Sequence, residues 1–97
     1  MKIYKTQGLT EEVKELDFGI TLAGDTKETE YYLYNDTEAD VIDLKATVEN
    51  PEVIIKECPQ TIKSKTTGTI IFSWTPSLTL KRGLKTQLNL KFFELYS

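Results

Sequence analysis

Apolar and polar side chains alternate along much of this 97-residue chain, and this alternation restricts its fold more than any other feature. Between Val41 and Val48 every second residue is apolar, namely Ile42, Leu44, Ala46 and Val48. Successive side chains of a β-strand point to opposite faces, so a period of two predicts strands with one buried face. The one helical candidate, Thr10–Leu16, has apolar spacing that covers less than one turn.

Residues that favour turns separate the alternating segments. The predicted strands are Lys27–Tyr34, Val41–Val48, Val53–Lys56, Ile70–Thr75 and Leu84–Leu95. The turn signals are Gly24-Asp25, Asn35–Glu38, Asn50-Pro51, Cys58-Pro59 and Pro76. Together with an extended stretch that enters a turn at Gly19, about seven strands with turn signals roughly every 8 to 12 residues predict an all-β sandwich of antiparallel strands.

The alternation also predicts which side of each strand faces the core. In the strand 27–34 the core face is assigned to Thr29, Tyr31 and Leu33, because the other face carries two carboxylates. One face of each of the last two long strands consists of Ile70, Phe72 and Trp74, and of Thr86, Leu88, Leu90 and Phe92. We expect Trp74 to anchor the core, as a tryptophan does in many β-sandwiches.

The charge balance argues against a nucleic-acid-binding surface. Twelve Lys and Arg residues against fifteen Asp and Glu residues leave a net charge of −3, whereas such surfaces need clustered basic residues. Two short basic clusters are interpreted as solvated turn residues, namely Lys63 with Lys65, and Lys81 with Arg82 and Lys85. No segment approaches the roughly 18 apolar residues of a membrane span. We therefore expect neither a nucleic-acid nor a membrane partner.

The residue inventory leaves few options for catalysis. The chain has no histidine, which is the commonest general base and metal ligand, and a single cysteine, Cys58. One cysteine forms no intrachain disulfide and cannot by itself build a zinc site. Cys58 is interpreted as a small, partly buried hydrophobe. We expect no enzyme activity and no cofactor.

Carboxylates crowd the polar turn after Tyr34, at Asp36, Glu38 and Asp40. A calcium site needs several oxygen ligands that converge in a glycine-bearing loop. This loop has no glycine, so a solvated turn is favoured over a calcium site and no metal site is predicted. Asn35-Asp36-Thr37 matches a glycosylation acceptor, but it is interpreted as a turn because Met1–Lys5 shows no apolar run like a signal peptide.

The order of the signals resembles one family of small β domains. The signals are Leu16-Asp17-Phe18-Gly19, Tyr31–Asn35, Val53-Ile54-Ile55, Cys58-Pro59, Gly68–Pro76 and Gly83 before alternating leucines. In this order they resemble the immunoglobulin-like domains of the major sperm protein and hydin group, the ASH type, from about Leu16 to Tyr96. The resemblance implies an immunoglobulin-like β-sandwich with a scaffolding role. The loop Lys63–Thr67 departs from the pattern, because it lacks the glycine turn that such loops often carry.

Four large side chains are candidate protein-contact residues because they fall opposite the predicted core faces. Tyr32 and Tyr34 lie on the carboxylate-bearing face of their strand, and Phe93 and Leu95 oppose the core face of the last strand. Exposed aromatic side chains are enriched at protein interfaces. The alternative, which the sequence leaves open, is that further elements such as Met1–Leu9 cover these side chains.

The sequence as a whole predicts a non-catalytic domain that binds other proteins. Residues 1–15 are predicted to form an N-terminal arm or extra strand, and residues 16–97 the immunoglobulin-like domain. The leading hypothesis is an auxiliary capsid or tail protein of a virus or phage particle, located in the virion or the cytoplasm, that docks through sheet faces or edges onto other proteins or copies of itself. The alternative is a cellular adaptor of the ASH or major sperm protein type that binds a peptide or a cytoskeletal partner.

Overall fold

A computed structural model of the chain describes residues 1–76 and 81–96. Within these ranges the backbone forms nine β-strands and no helix. The strands are β1 Lys2–Tyr4, β2 Glu12–Val13, β3 Leu16–Leu22, β4 Lys27–Tyr34, β5 Asp40–Val48, β6 Val53–Glu57, β7 Thr67–Trp74, β8 Lys81–Thr86 and β9 Leu88–Leu95. The side chains of Lys81 and Arg82, which belong to the second predicted basic cluster, lie outside the described part.

All strand pairs are antiparallel. A five-stranded sheet has the order β2-β1-β4-β7-β6, while β3 pairs with β8 and β5 pairs with β9. Only Gln87 separates β8 from β9, so these two strands follow one another along the chain. The prediction of an all-β, antiparallel fold is confirmed, and the arrangement is compatible with a β-sandwich.

The described residues contain nine strands, compared with the prediction of about seven. The difference arises at the two ends of the sequence. The segment that held the one helical candidate contributes β2 and the start of β3, and β1 pairs with β2 and β4 at the edge of the five-stranded sheet. The predicted strand Leu84–Leu95 is divided at Gln87 into β8 and β9.

The core consists mainly of the side chains that the alternation assigned to it. Tyr31 and Leu33 from β4 and Ile70, Phe72 and Trp74 from β7 are fully buried. Leu88, Leu90 and Phe92 from β9 pack against the same cluster. Because Trp74 is fully buried in this cluster, the prediction that it anchors the core is confirmed. Its indole N–H donates a hydrogen bond to Glu52 Oε1 (3.3 Å).

Bulges in β3 and β5 shift the alternation of these two strands. Gly19 has a φ of 70° at a bulge inside β3, which continues to Leu22, so the predicted turn at Gly19 is wrong. In β5 the register shifts between Ile42 and Lys45, and Asp43 has a φ of 52°. The prediction that Ile42 shares a face with Leu44 is therefore also wrong. The buried pair is Val41 and Leu44, and Ile42 turns outward opposite Phe93.

Asn35, at the end of β4, is a buried polar residue whose hydrogen-bonding groups are all used. Its Nδ2 donates to the carbonyl oxygens of Ala39 (2.7 Å) and Ile62 (3.0 Å). Its Oδ1 accepts from the backbone N–H (3.1 Å) and the hydroxyl (2.7 Å) of Thr37. The sequence predicted a turn residue here, and the side chain of Asn35 is what holds the turn together and links it to the segment before β7.

We expect Asn35→Ala to destabilise the domain strongly. The substitution removes the four hydrogen bonds of a buried side chain, and the free energy of unfolding should fall by about 2–4 kcal/mol. Urea denaturation followed by tryptophan fluorescence measures this change. Asn89→Ala, at an exposed position in β9, is the matched control and should change stability little. A loss of less than about 0.5 kcal/mol for Asn35→Ala would contradict this account of the turn.

Thr29 carries a hydroxyl that is buried on the inner side of β4. This oxygen has no hydrogen-bond partner among the described residues. Replacing it with a methyl group of nearly the same shape removes the cost of burying it, so Thr29→Val should raise the free energy of unfolding by about 1 kcal/mol. Thr47→Val, at an exposed position in β5, is the control. A destabilised Thr29→Val variant in the same urea titration would show that the hydroxyl is satisfied in solution.

Candidate protein-contact surface

The four predicted contact residues lie on two different surfaces. Tyr32 and Tyr34 point away from the core on the outer face of the five-stranded sheet, since Tyr31 and Leu33 between them are buried. Phe93 and Leu95 point outward from the β5–β9 pair, whose inner face packs against the core. The structure therefore places the four residues in two separate pairs, one on β4 and one on β9.

The tyrosine pair is half-buried. Strand β1 adds beside β4 and places Tyr4 directly opposite Tyr32 and Lys2 opposite Tyr34. The N-terminal segment thus lies next to these rings and widens their sheet. The Tyr32 hydroxyl donates to Glu30 Oε2 (3.1 Å), and this hydrogen bond raises the pKa of Tyr32. The tyrosines are part of a mixed, carboxylate-bearing sheet face.

The pair on β9 is exposed. Phe93 and Leu95 keep 68% and 55% of their residue surface open to solvent. Ile42, which the bulge in β5 turns outward, lies directly opposite Phe93. Tyr96 follows at 68% exposure, and its hydroxyl donates to Glu94 Oε2 (2.6 Å), which raises the pKa of Tyr96. Sequence reasoning missed Ile42 because the bulge gave no local signal.

A groove of about 530 Å³ lies beside this apolar pair. It is lined by Asp43, Leu44, Lys45, Gln60, Lys91, Phe92 and Phe93. Lys45 and Lys91 are directly opposite each other in the register of β5 and β9, an arrangement in which like charges repel. Within the described part of the chain neither lysine forms an ion pair. The groove therefore presents two cationic groups beside an exposed aromatic ring.

The hydrogen bonds of Val41 reveal how the main chain of β9 is oriented. Both the N–H and the C=O of Val41 bond to Ile62, on the side away from β9 (2.9 Å each). Directly opposed residues of an antiparallel pair alternate between hydrogen-bonded and non-bonded, so Val41 and Glu94 form a non-bonded pair. The N–H and C=O of Glu94 therefore point away from β5.

The second edge of β9 is open. The orientation of Glu94 recurs at every second residue of β9, because the irregularity in this pair lies in β5. The residues that turn their N–H and C=O groups to this edge are Leu88, Leu90, Phe92 and Glu94. No strand in the part of the chain that the structure describes pairs with it. An unpaired edge of this kind can accept an additional strand.

The exposed residues Phe93 and Leu95, the neighbouring Ile42 and the groove with Lys45 and Lys91 together form what we call the β9 surface. Three further apolar side chains are exposed outside it. Ile20 and Leu22 project from β3, and Ile54 projects from β6 with 64% of its residue surface open to solvent. Alternation alone did not single out Ile20 and Leu22, since the bulge at Gly19 reverses the phase of β3. Ile20 and Leu22 form a second exposed apolar pair, two residues apart on β3, while Ile54 lies on the five-stranded sheet.

The surroundings of the only cysteine do not activate its thiol as a nucleophile. Cys58 is half-buried, and its Sγ lies 3.5 Å from the carbonyl oxygen of Pro59. Burial raises the pKa of the Cys58 thiol. The thiolate is the reactive form of cysteine, so a raised pKa keeps this side chain unreactive near neutral pH.

The crowded carboxylates of the β4–β5 turn are held apart by separate partners. The nearest Asp36 oxygen lies 3.7 Å from the N-terminal amine, and Glu38 lies 3.6 Å from Lys65 Nζ. Asp40 accepts a hydrogen bond from the backbone N–H of Ser64 (2.9 Å). Among the described residues no group of three or more His, Cys, Asp or Glu side chains could hold a metal ion.

No protein-family model, no curated protein and no solved structure matches this chain. The described residues also contain no helix of the length and apolarity that crossing a membrane requires. Among the described residues the β9 surface combines exposed apolar groups, two lysines without an ion pair and a strand edge without a paired strand.

We expect Cys58 to react slowly in the native chain. At pH 8 its raised pKa and partial burial lower the fraction of accessible thiolate, so alkylation by iodoacetamide should be at least about fivefold slower than in the urea-unfolded chain. Mass spectrometry of timed samples measures both rates. A native rate equal to or above the unfolded rate would mean that Cys58 is an activated thiol.

Proposed function

We propose that this chain is an immunoglobulin-like domain that binds other proteins through the outer face of β9 and has no catalytic role. The observation that carries the proposal is the exposure of Phe93 and Leu95 side by side on one sheet face. A solvated sheet face normally carries polar side chains at such positions. Contiguous apolar side chains rimmed by polar groups are typical of protein interaction sites.

The size of the apolar contribution is sufficient to matter for binding. Complete burial of a Phe or Leu side chain contributes about 1.5–3 kcal/mol. With 68% of Phe93 and 55% of Leu95 still exposed, a partner that covered both would gain roughly 2–4 kcal/mol from these two side chains. Since about 1.4 kcal/mol corresponds to a tenfold change in affinity, their loss should be readily measurable.

A structural component of a virus or phage particle, either an auxiliary capsid or a tail protein, is the setting that we propose for this interaction. The proposal is supported by a residue inventory without histidine and by a sheet face and an open edge through which an assembly subunit can dock. Mass spectrometry of purified particles tests it directly. Absence of the chain from them would reject this setting and favour a cellular adaptor, while leaving the interface itself open to the following test.

We expect the double substitution Phe93→Ser, Leu95→Ser to weaken binding of the native partner at least about tenfold, because it removes the apolar contact area. Quantitative cross-linking in the source organism measures the partner recovered with each variant. Ile54→Ser is the matched control, since Ile54 is equally apolar and 64% exposed on the other sheet.

Both variants should unfold at nearly the wild-type temperature, because all the substituted side chains are exposed. Equal loss of the partner in Ile54→Ser would place the contact elsewhere or reduce it to general apolar adhesion. Unchanged recovery with the double variant would exclude the β9 face as the interface.

A further inference from the structure

We infer that the partner contributes an extended, acidic segment that adds as a strand to the open edge of β9. This inference rests on the proposed function and names the chemistry of the partner. Three features of the edge carry it, namely the orientation of the main chain, the partly covered apolar side chains on its inner side, and the two opposed lysines on its outer side.

The main chain supplies the directional part of the interaction. Every second residue of β9 turns its N–H and C=O to the open edge, as the hydrogen bonds of Val41 to Ile62 require. The run from Leu88 to Glu94 is long enough to form a regular ladder with an incoming strand. Addition of an extended peptide to such an edge derives affinity from main-chain hydrogen bonds and specificity from alternate side chains.

The inner side of the edge calls for apolar side chains. Leu88, Leu90 and Phe92 pack against the core but remain only half-buried, in contrast to the fully buried Phe72. An incoming strand places every second side chain on this inner side, next to these residues. Apolar residues at those positions would cover the remaining apolar surface of β9.

The outer side of the edge calls for a carboxylate beside Lys91. Lys91 points outward beside the open edge, and Lys45 stands directly opposite it on β5. Side chains on directly opposed residues of neighbouring strands lie about 4.5–5.5 Å apart at Cβ. A Glu or Asp of the incoming strand, placed directly opposite Lys91, would form an ion pair with Lys91 and offset its repulsion from Lys45. Asp43 lines the same groove, but none of the ion pairs among the described residues joins it to Lys45 or Lys91.

The open edge of β6 at the other sheet does not offer the same match. Its outward lysine, Lys56, already forms an ion pair with Glu28 (2.7 Å). The outer face of that sheet also carries Glu12 and Glu30, which would repel an acidic segment. Charge therefore favours β9 over β6 for such a segment.

A second copy of this chain is a poorer occupant of the edge. If two β9 strands paired with each other, the residues available to face Lys91 on the outer side would be Asn89, Lys91, Phe93 and Leu95 of the second copy. None of these carries a carboxylate, because Glu94 lies on the inner side of the strand. Self-pairing would leave both lysines unneutralised.

A fluorescein-labelled ten-residue peptide of alternating valine and glutamate tests the inference on the full chain. We expect saturable binding by fluorescence anisotropy, and slower amide hydrogen exchange at Phe92 and Glu94 when the peptide is present. The same peptide with lysine in place of glutamate should bind at least about tenfold more weakly. Lys91→Glu should weaken binding of the glutamate peptide about fivefold or more and improve binding of the lysine peptide.

Two substitutions at one exposed position separate the main-chain contribution from side-chain effects. Glu94→Pro removes an N–H that points to the open edge and makes no bond to β5, and proline is tolerated at such edge positions. Glu94→Ala removes the same carboxylate but keeps the N–H. We expect Glu94→Pro to abolish the exchange protection and Glu94→Ala to retain it. Lys91→Glu tests the contribution of charge without a change in the backbone.

Several results would overturn the inference. These are no saturable binding of the glutamate peptide up to millimolar concentration, equal binding of the lysine peptide, and protection that persists in Glu94→Pro. Concentration-dependent protection of the edge without any peptide would identify a second copy as the occupant instead. If the Phe93→Ser, Leu95→Ser variant loses the native partner while the peptide results fail, the proposed function stands and only the acidic strand is rejected.

Discussion

The side-chain amide of Asn35 is the contact from which the geometry of the β9 surface follows. Its Nδ2 holds the carbonyl oxygens of Ala39 and Ile62 together at the end of β4. Ile62 then bonds through both its N–H and its C=O to one edge of β5, at Val41. Because that edge is occupied, β9 pairs with the other edge of β5, and its own second edge faces outward. A buried polar residue at the end of β4 thus holds the segment that occupies one edge of β5, while β9 occupies the other.

One additional residue in β5 determines what that surface is made of. The bulge at Asp43 lets Val41 and Leu44 both enter the core and turns Ile42 to the outside. A regular strand would have kept Ile42 and Leu44 on the same face. The bulge therefore adds an apolar side chain opposite Phe93 and opens the groove between Lys45 and Lys91. Bulges often occur where a strand has to redirect side chains for a functional site.

The sequence predicted those features that depend on a regular pleat and missed those that depend on partners distant in the chain. The inner faces of β4 and β7 were correct because both strands lie inside a sheet and keep strict alternation. Asp43 could not be foreseen as a bulge, since it is not a glycine and the residues around it alternate normally. The partial burial of Tyr32 depends on Tyr4, a neighbour that only the pairing of β1 with β4 brings close. Phe93 and Leu95 were identified because β9 itself is regular, whereas its open edge is a property of topology and has no local signal.

The composition of the β9 face is difficult to explain by folding alone. Exposed Phe93 and Leu95 contribute little to the core, and the opposed pair Lys45 and Lys91 repels within the folded domain. Elsewhere an exposed lysine such as Lys56 has a carboxylate partner, so the chain does pair its surface charges in other places. A partner that buries apolar area and supplies carboxylates converts both unfavourable features into favourable ones. The two contributions also differ in their response to salt. The attraction between the lysines and carboxylates is screened beyond about 8–10 Å at physiological ionic strength, whereas the burial of apolar surface is not weakened in this way. The lysines are therefore suited to selecting and orienting an acidic strand, and the apolar side chains to retaining it.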